Sequence, residues 1–370
     1  MLETARGWLA ELRAGADPRR FTYRADDDPT DERALLLLAL QYDHREADAP
    51  LLRLLLDAER EAHEDPDGYG LEDGLKLAAW LVARLKDPAD VFRMWAAKSA
   101  NFDTHCGFDG QHLVAAGVAR TLAYLRASDD PRRDDILEYL LNAAGECHFS
   151  DDELARWHAA QASWFPANEA DESVVTMLER ALDLAPEHAP RWLERWLADQ
   201  PRSERTLVDL CHYALRLGDF DRAVATAEEL LTLATDRLAA RERLARVLTR
   251  AGRLAEAEAA LTRHADEAAA GKRTAWEQRM ALERWLDLAE AVLAAAAADA
   301  RAADPAIGRR AVARADALLT AGFGHCLDNL RRLTDCAAAL GEAEIHARVV
   351  VARDAEAGEC DAMMARVTAR

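Results

Sequence analysis

Residues 207–234 read LVDLCHYALRLGDFDRAVATAEELLTLA, and residues 238–265 read LAARERLARVLTRAGRLAEAEAALTRHA. Each stretch holds two apolar-periodic segments around one glycine. Gly218 recurs as Gly252, 34 residues on. Around these glycines Leu210 recurs as Leu244, Ala223 as Ala257 and Ala227 as Leu261. Apolar residues at helical spacing on both sides of a glycine predict two helices joined by a tight turn. One such hairpin cannot bury its apolar face alone, so neighbouring copies must stack.

Composition extends this reading to the rest of the chain. Of 370 residues, 50% are hydrophobic and 31% are charged. Alanine, leucine, arginine and glutamate dominate, and all are good helix formers. No stretch alternates strictly enough to read as a strand. The expectation is an all-α protein, a superhelix of helical repeats with no β-sheet.

The helix–turn–helix unit at this period resembles the tetratricopeptide repeat, most clearly over residues 204–271. The segment LERALDLAPEH (178–188) has the ending of such a unit, with Ala181, Leu182, Leu184 and Pro186 in the family's positions. The chain departs from the family pattern in lacking its tryptophan and tyrosine. The motif positions are packing positions, so the resemblance implies a stacked fold and carries no catalytic residue with it. Three regions are expected. Residues 1–150 read as irregular, HEAT-like helix pairs and 151–271 as repeats. Residues 272–370 read as a helical cap packed continuously onto them.

Charge limits the partners. The net charge is −20 and the pI is near 5.0. Such a surface repels nucleic-acid phosphates and anionic lipid. The leucine-rich run Leu35 to Leu40 is far short of the about 20 residues of a membrane span. The first residues lack the pattern of a secretory signal. A cytoplasmic location is expected. Only four basic residues are lysines, namely Lys76, Lys86, Lys98 and Lys272. Arginine and alanine bias of this kind suggests a bacterial genome rich in G and C.

The densest polar segment is WAAKSANFDTHCGFDGQH, Trp95 to His112. It reads as a loop, and loops carry binding residues more often than helices do. Lys98, Asn101, Asp103, His105, Asp109 and His112 are the candidate binding residues. His105, Asp109 and His112 fall at i, i+4 and i+7, and on an unbroken helix could hold zinc with Cys106. Gly107 and Gly110 argue against that helix. The alternative is a structural turn, with Asp103 and Asp109 capping backbone amides, Asp109 starting a helix over about 110–126, and Phe102 and Phe108 anchored in the core. No metal and no cofactor are expected.

Four of the six cysteines adjoin a histidine (His105–Cys106, Cys147–His148, Cys211–His212 and His325–Cys326). Neighbours on a helix point about 100° apart, so such a pair does not chelate one ion. The nine tryptophans read mainly as core between helices. No nucleophile elbow, phosphate loop or zinc-protease motif occurs. The sequence therefore favours a binding protein over an enzyme: a scaffold or adaptor whose concave acidic surface takes a basic or amphipathic protein segment. An enzyme or enzyme subunit with its site in the 98–112 loop, or a regulator sensing a small ligand, are the alternatives. Oligomeric state is not readable.

Overall fold

The computed structural model describes residues 2–65, 70–269, 274–299, 303–322 and 326–368. Lys272, the turn at Gly324 and the histidine of the His325–Cys326 pair lie outside the described residues. The fold is all-α: nineteen α-helices and several short 3₁₀ turns, with no strand among the described residues. The one isolated bridge pairs Leu141 with Cys147. No helix of the described residues is long and apolar enough to cross a membrane. The chain packs as two compact units, Met1–Trp196 and Leu197–Arg370.

Unit 1 begins with α1 (Glu3–Arg13), α2 (Thr30–Tyr42), α3 (Ala49–Glu64), α4 (Asp73–Ala83) and α5 (Val91–Lys98). It continues with α6 (Phe102–Gly107), α7 (Val118–Ala127), α8 (Arg133–Leu140), α9 (Asp151–Trp164), α10 (Val174–Leu184) and the start of α11 (Ala189–Ala198). Two helices sit at its centre because they are apolar nearly all round. In α2, Leu36 to Gln41 are all buried; in α4, Leu75 and Leu77 to Ala83 are all buried. Helices α1, α4 and α10 pack on α2, and α3 packs on α4.

Unit 2 is built of four helical hairpins. They are α12 (Glu204–Arg216) with α13 (Phe220–Leu233), α14 (Arg237–Arg250) with α15 (Leu254–Ala269), α16 (Ala275–Ala298) with α17 (Pro305–Thr320), and α18 (Leu327–Leu340) with α19 (Ala343–Thr368). The first helices of successive hairpins touch one another, α12 to α14 to α16 to α18, and form one layer. Each second helix packs on its own partner and on the first helix of the next pair. Helices paired in this way are compatible with a helical repeat.

The repeated glycines do the same job in each copy. Gly218 and Gly252 have φ of +71° and +72°, a left-handed conformation that costs a glycine little. Asp219 N then donates to Ala214 O and Arg253 N to Leu248 O, both at 2.9 Å. This bond satisfies a carbonyl left open at the helix end. Asp219 also caps the next helix, accepting from Arg222 N at 3.2 Å. Gly341 repeats the turn with φ +76°, and Glu342 N donates to Ala337 O at 2.9 Å. The 34-residue spacing does not reach this third copy, because the α16–α17 hairpin between them is longer.

Ala223 and Ala257 are fully buried. The Cys211 thiol of the partner helix lies 3.8 Å from the Ala223 carbonyl. Ala223→Leu forces extra methylenes into this contact and is expected to cost about 1–3 kcal/mol, read as a lower melting temperature; an unchanged one would place the helix contact elsewhere.

The apolar stripe of α16 is buried at Leu282, Trp285, Leu286, Ala289 and Val292, but Trp276 is 67% exposed and stands outside it.

Candidate binding cleft

The polar segment 98–112 is not one loop. Asn101 starts α6: its Oδ1 accepts from Thr104 N at 2.8 Å, and Thr104 Oγ1 accepts from Asn101 N at 2.9 Å. This is a reciprocal cap of the helix start. Asn101 Nδ2 donates to His63 O at 3.1 Å, and Asp103 Oδ2 accepts from Gly70 N at 2.8 Å. These two residues therefore tie the start of α6 to the chain around 63–70.

Lys98 is 3% exposed. Its ammonium donates to His105 O at 2.7 Å and Phe108 O at 2.9 Å. It also lies 5.3 Å from the centre of the Tyr139 ring. It closes the carbonyl end of α6, which has no helical partners of its own. Burial lowers its pKa. His105 and Cys106 are exposed.

The helix breaks at Phe108, whose backbone is extended (φ −73°, ψ 123°). His105, Asp109 and His112 therefore share no helix face. No group of three or more candidate metal ligands gathers among the described residues. Two structural expectations fail here. Asp109 caps no amide and starts no long helix: a 3₁₀ turn, Gly110–Val114, follows it, and α7 begins only after Gly117 (φ +103°). Phe108 is 3% exposed, but Phe102 is 79% exposed and anchors nothing in the core. The short α6 turns Phe102 outward because its inner face is taken by Thr104.

The break gives Asp109 and His112 a different role. Asp109 Oδ2 accepts from Trp157 Nε1 at 2.8 Å and from Gln161 Nε2 at 3.0 Å, both on α9. His112 lies between the Phe108 ring at 4.6 Å and the Trp157 ring at 4.7 Å. Gly110 permits this turn, because a Cβ there would come within 2.6 Å of Phe149 Cζ. Burial, helped by the positive charges of His158 and Lys98, pushes the His112 pKa down to about 3. The imidazole is thus neutral at physiological pH, and its buried Nδ1 has no hydrogen-bond partner.

His112 and Asp109 line a cavity of about 680 Å³, together with Lys76, Gln161, Trp164 and Val175. A second cavity, of about 550 Å³, is lined by Arg33, Glu59, His63 and Gly74 among others. The two adjoin, because Asp73, Phe165, Arg180 and Asp183 line both. Together they form one cleft in unit 1. Its two strongest basic groups are already engaged. Arg33 donates from Nε to Glu59 Oε1 at 2.7 Å and from Nη1 and Nη2 to Asp28 at 2.9 and 2.8 Å. Arg180 Nη1 donates to Glu172 Oε1 at 2.6 Å and to Tyr42 Oη at 2.7 Å. Lys76 pairs with Asp73 at 2.9 Å. Carboxylates outnumber cations along the cleft, since Asp31, Glu72, Asp109, Glu179 and Asp183 also line it. At its edge Trp164 is 66% exposed and Val175 is 42% exposed.

Of the six residues singled out from the sequence, the structure brings Asp109 and His112 into this cleft. Lys98, Asn101 and Asp103 hold the wall behind them, and His105 lies at the surface. Trp164, expected with the other tryptophans in the core, is exposed at the cleft instead; Arg180 and Asp183 escaped sequence reasoning, since only tertiary packing brings α10 to the loop. Arg33 did leave a signal: it is a lone cation at the head of the leucine run of α2.

No family model matches the chain, and no curated protein matches it.

Proposed function

We propose that this chain is a binding protein whose unit 1 cleft takes a basic, amphipathic segment of a protein partner. The observation that carries the reading is the pairing of excess carboxylates with two exposed apolar side chains, Trp164 and Val175, at one opening. A cationic side chain would be drawn to the carboxylates. A neighbouring apolar one would cover the Trp164 ring, which a soluble surface otherwise leaves wet at a cost. The buried, neutral His112 offers the occupant a ring nitrogen that has no hydrogen-bond partner of its own.

The test uses two dye-labelled amphipathic peptides of equal length, one of lysine and leucine, the other of glutamate and leucine. Fluorescence anisotropy should show saturable binding of the first only, weakened by salt as screening grows. Trp164→Ala should weaken it at least about tenfold, a loss of about 1.4 kcal/mol, with no change in melting temperature. Equal binding of both peptides, or unaltered binding to Trp164→Ala, would reject the reading.

A further inference from the structure

The first-helix layer of unit 2 carries its charges in an ordered ladder. Arg284 of α16 donates to Glu242 of α14 at 2.9 Å and to Asp287 at 2.7 Å. Arg332 of α18 donates to Asp287 at 2.7 Å and to both oxygens of Glu290 at 2.7 and 2.8 Å. Each carboxylate of the ladder thus has its cation.

Three arginines beside the ladder form no ion pair among the described residues. Arg243, Arg246 and Arg250 stand at i, i+3 and i+7 on α14, so they share one face. The first-helix layer runs on from α12, where the residues 34 positions earlier are Asp209, His212 and Arg216. Repeat packing therefore does not demand arginine at 243 and 246. Arg246 Nε is buried with no hydrogen-bond partner. Burial and the like charges of Arg243 and Arg284 lower its pKa, and the nearby Glu242 already serves Arg284. A half-buried guanidinium whose Nε has no hydrogen-bond partner and which has two cations near it is better placed once something anionic joins it.

The space for such a group is present. A cavity of about 500 Å³ lies between α14 and α16, lined by Arg246, Arg250, Thr249 and Arg284, with Ala291 and Ala295 leaving room at its base. Its carboxylates, Asp287 and Glu290, are the ones that Arg284 and Arg332 hold. We propose that this cavity binds the phosphoryl group of a small phosphorylated molecule between Arg246 and Arg250. Planar guanidiniums donate in pairs to phosphoryl oxygens. A dianion can accept from both unpaired guanidiniums, where a single carboxylate serves one. The cavity is much larger than a phosphate ion and falls in the range of about 300–1,000 Å³ common for small-ligand sites. The net charge of −20 disfavours long polyanions such as nucleic acid at the same spot. This inference is independent of the unit 1 cleft.

Calorimetry on the full chain at constant ionic strength tests it with inorganic phosphate, ribose 5-phosphate and ribose. Ribose 5-phosphate should bind one to one and raise the melting temperature. Inorganic phosphate should bind more weakly and compete with it, and ribose should not bind. If inorganic phosphate binds as tightly as the sugar phosphate, the site stands with free phosphate as its ligand. Arg246→Gln should weaken binding at least about tenfold without loss of melting temperature, since it removes a repelled charge. Arg263→Gln, an exposed arginine of α15, should change nothing. If Arg246→Gln does not fold, the exposed Arg250→Gln carries the same expectation. No saturable binding of either phosphate at millimolar concentration, or unaltered binding in both Arg246→Gln and Arg250→Gln, overturns the proposal.

Discussion

Arg33→Ala should lower the stability of the protein by about 3–5 kcal/mol. Arg33 has no exposed surface, and its partner Glu59 is 3% exposed. The guanidinium spends three nitrogens on two carboxylates, one on α3 and one just ahead of α2. Removing it strands the Glu59 carboxylate in the core. Glu59 cannot easily move away, because Gly74 of α4 is packed against it: a Cβ at Gly74 would meet Glu59 Oε2 at 2.7 Å. The cost is therefore set less by the lost pair than by the buried charge left behind. Arg33→Met combined with Glu59→Leu should recover most of the loss, since no charge then remains to be buried. Urea denaturation followed by circular dichroism measures all of these; an unchanged midpoint for Arg33→Ala would show that the ion pair is not formed as described. The effect should also depend on pH. Burial pushes the Asp28 pKa up, but the hydrogen bonds and charge of Arg33 outweigh it, and the net shift is downward. A carboxylate with a lowered folded pKa stabilises above its unfolded value of about 3.9 and loses that contribution as pH falls through the folded one. The advantage of the natural chain over Arg33→Ala should shrink accordingly on acidification.

What the sequence made legible follows from how local each determinant is. The Gly218 and Gly252 turns were readable because two local signals coincide there: helical periodicity on both sides and a glycine between them. Gly341 makes the same turn, and Leu333 ahead of it is buried as Leu210 and Leu244 are. The fixed spacing failed to link it, since spacing depends on every intervening hairpin having equal length. In segment 98–112 the residue types were informative and their roles were not. Lys98 drew notice as a rare lysine, but its partners are backbone carbonyls, which no side-chain pattern reveals. Asp109 is a good capping residue by type, yet α9 outbids the local amides with two donors. Tryptophan burial divides similarly. Trp80, Trp157, Trp196 and Trp285 are buried, while Trp164 and Trp276, near the end and the start of their helices, are exposed. Helical periodicity predicts a face; it does not predict whether a neighbouring helix extends far enough to cover that face.

Trp157→Ala should be about as damaging as the loss of Arg33, at about 3–5 kcal/mol, and for a different physical reason. Trp157 is 7% exposed and is the hub of an aromatic cluster. Its ring meets Trp80 edge-on at 5.8 Å, His112 edge-on at 4.7 Å and His158 at 4.9 Å. Truncation opens a cavity beneath the cleft floor, which rigid helices close only in part. It also removes the indole donor from Asp109, leaving Gln161 as the carboxylate's one remaining side-chain donor. Trp157→Phe separates these effects: most of the ring bulk stays and only the hydrogen bond goes. A bond to a charged acceptor contributes about 1.5–3 kcal/mol, so Trp157→Phe should fall near the lower end of that range and well short of Trp157→Ala. The two variants should also differ at the cleft. With Asp109 held by Gln161 alone and the ring wall intact, Trp157→Phe should remain folded and bind the lysine–leucine peptide more tightly, since the carboxylate has a lone pair freed for a cation. Trp157→Ala also removes the wall that positions His112 and should lose that binding altogether. Melting curves and anisotropy on both variants decide the matter. If Trp157→Ala proved as stable as the natural chain, the α9 contact with the 3₁₀ turn at Gly110–Val114 could not be what shapes the cleft.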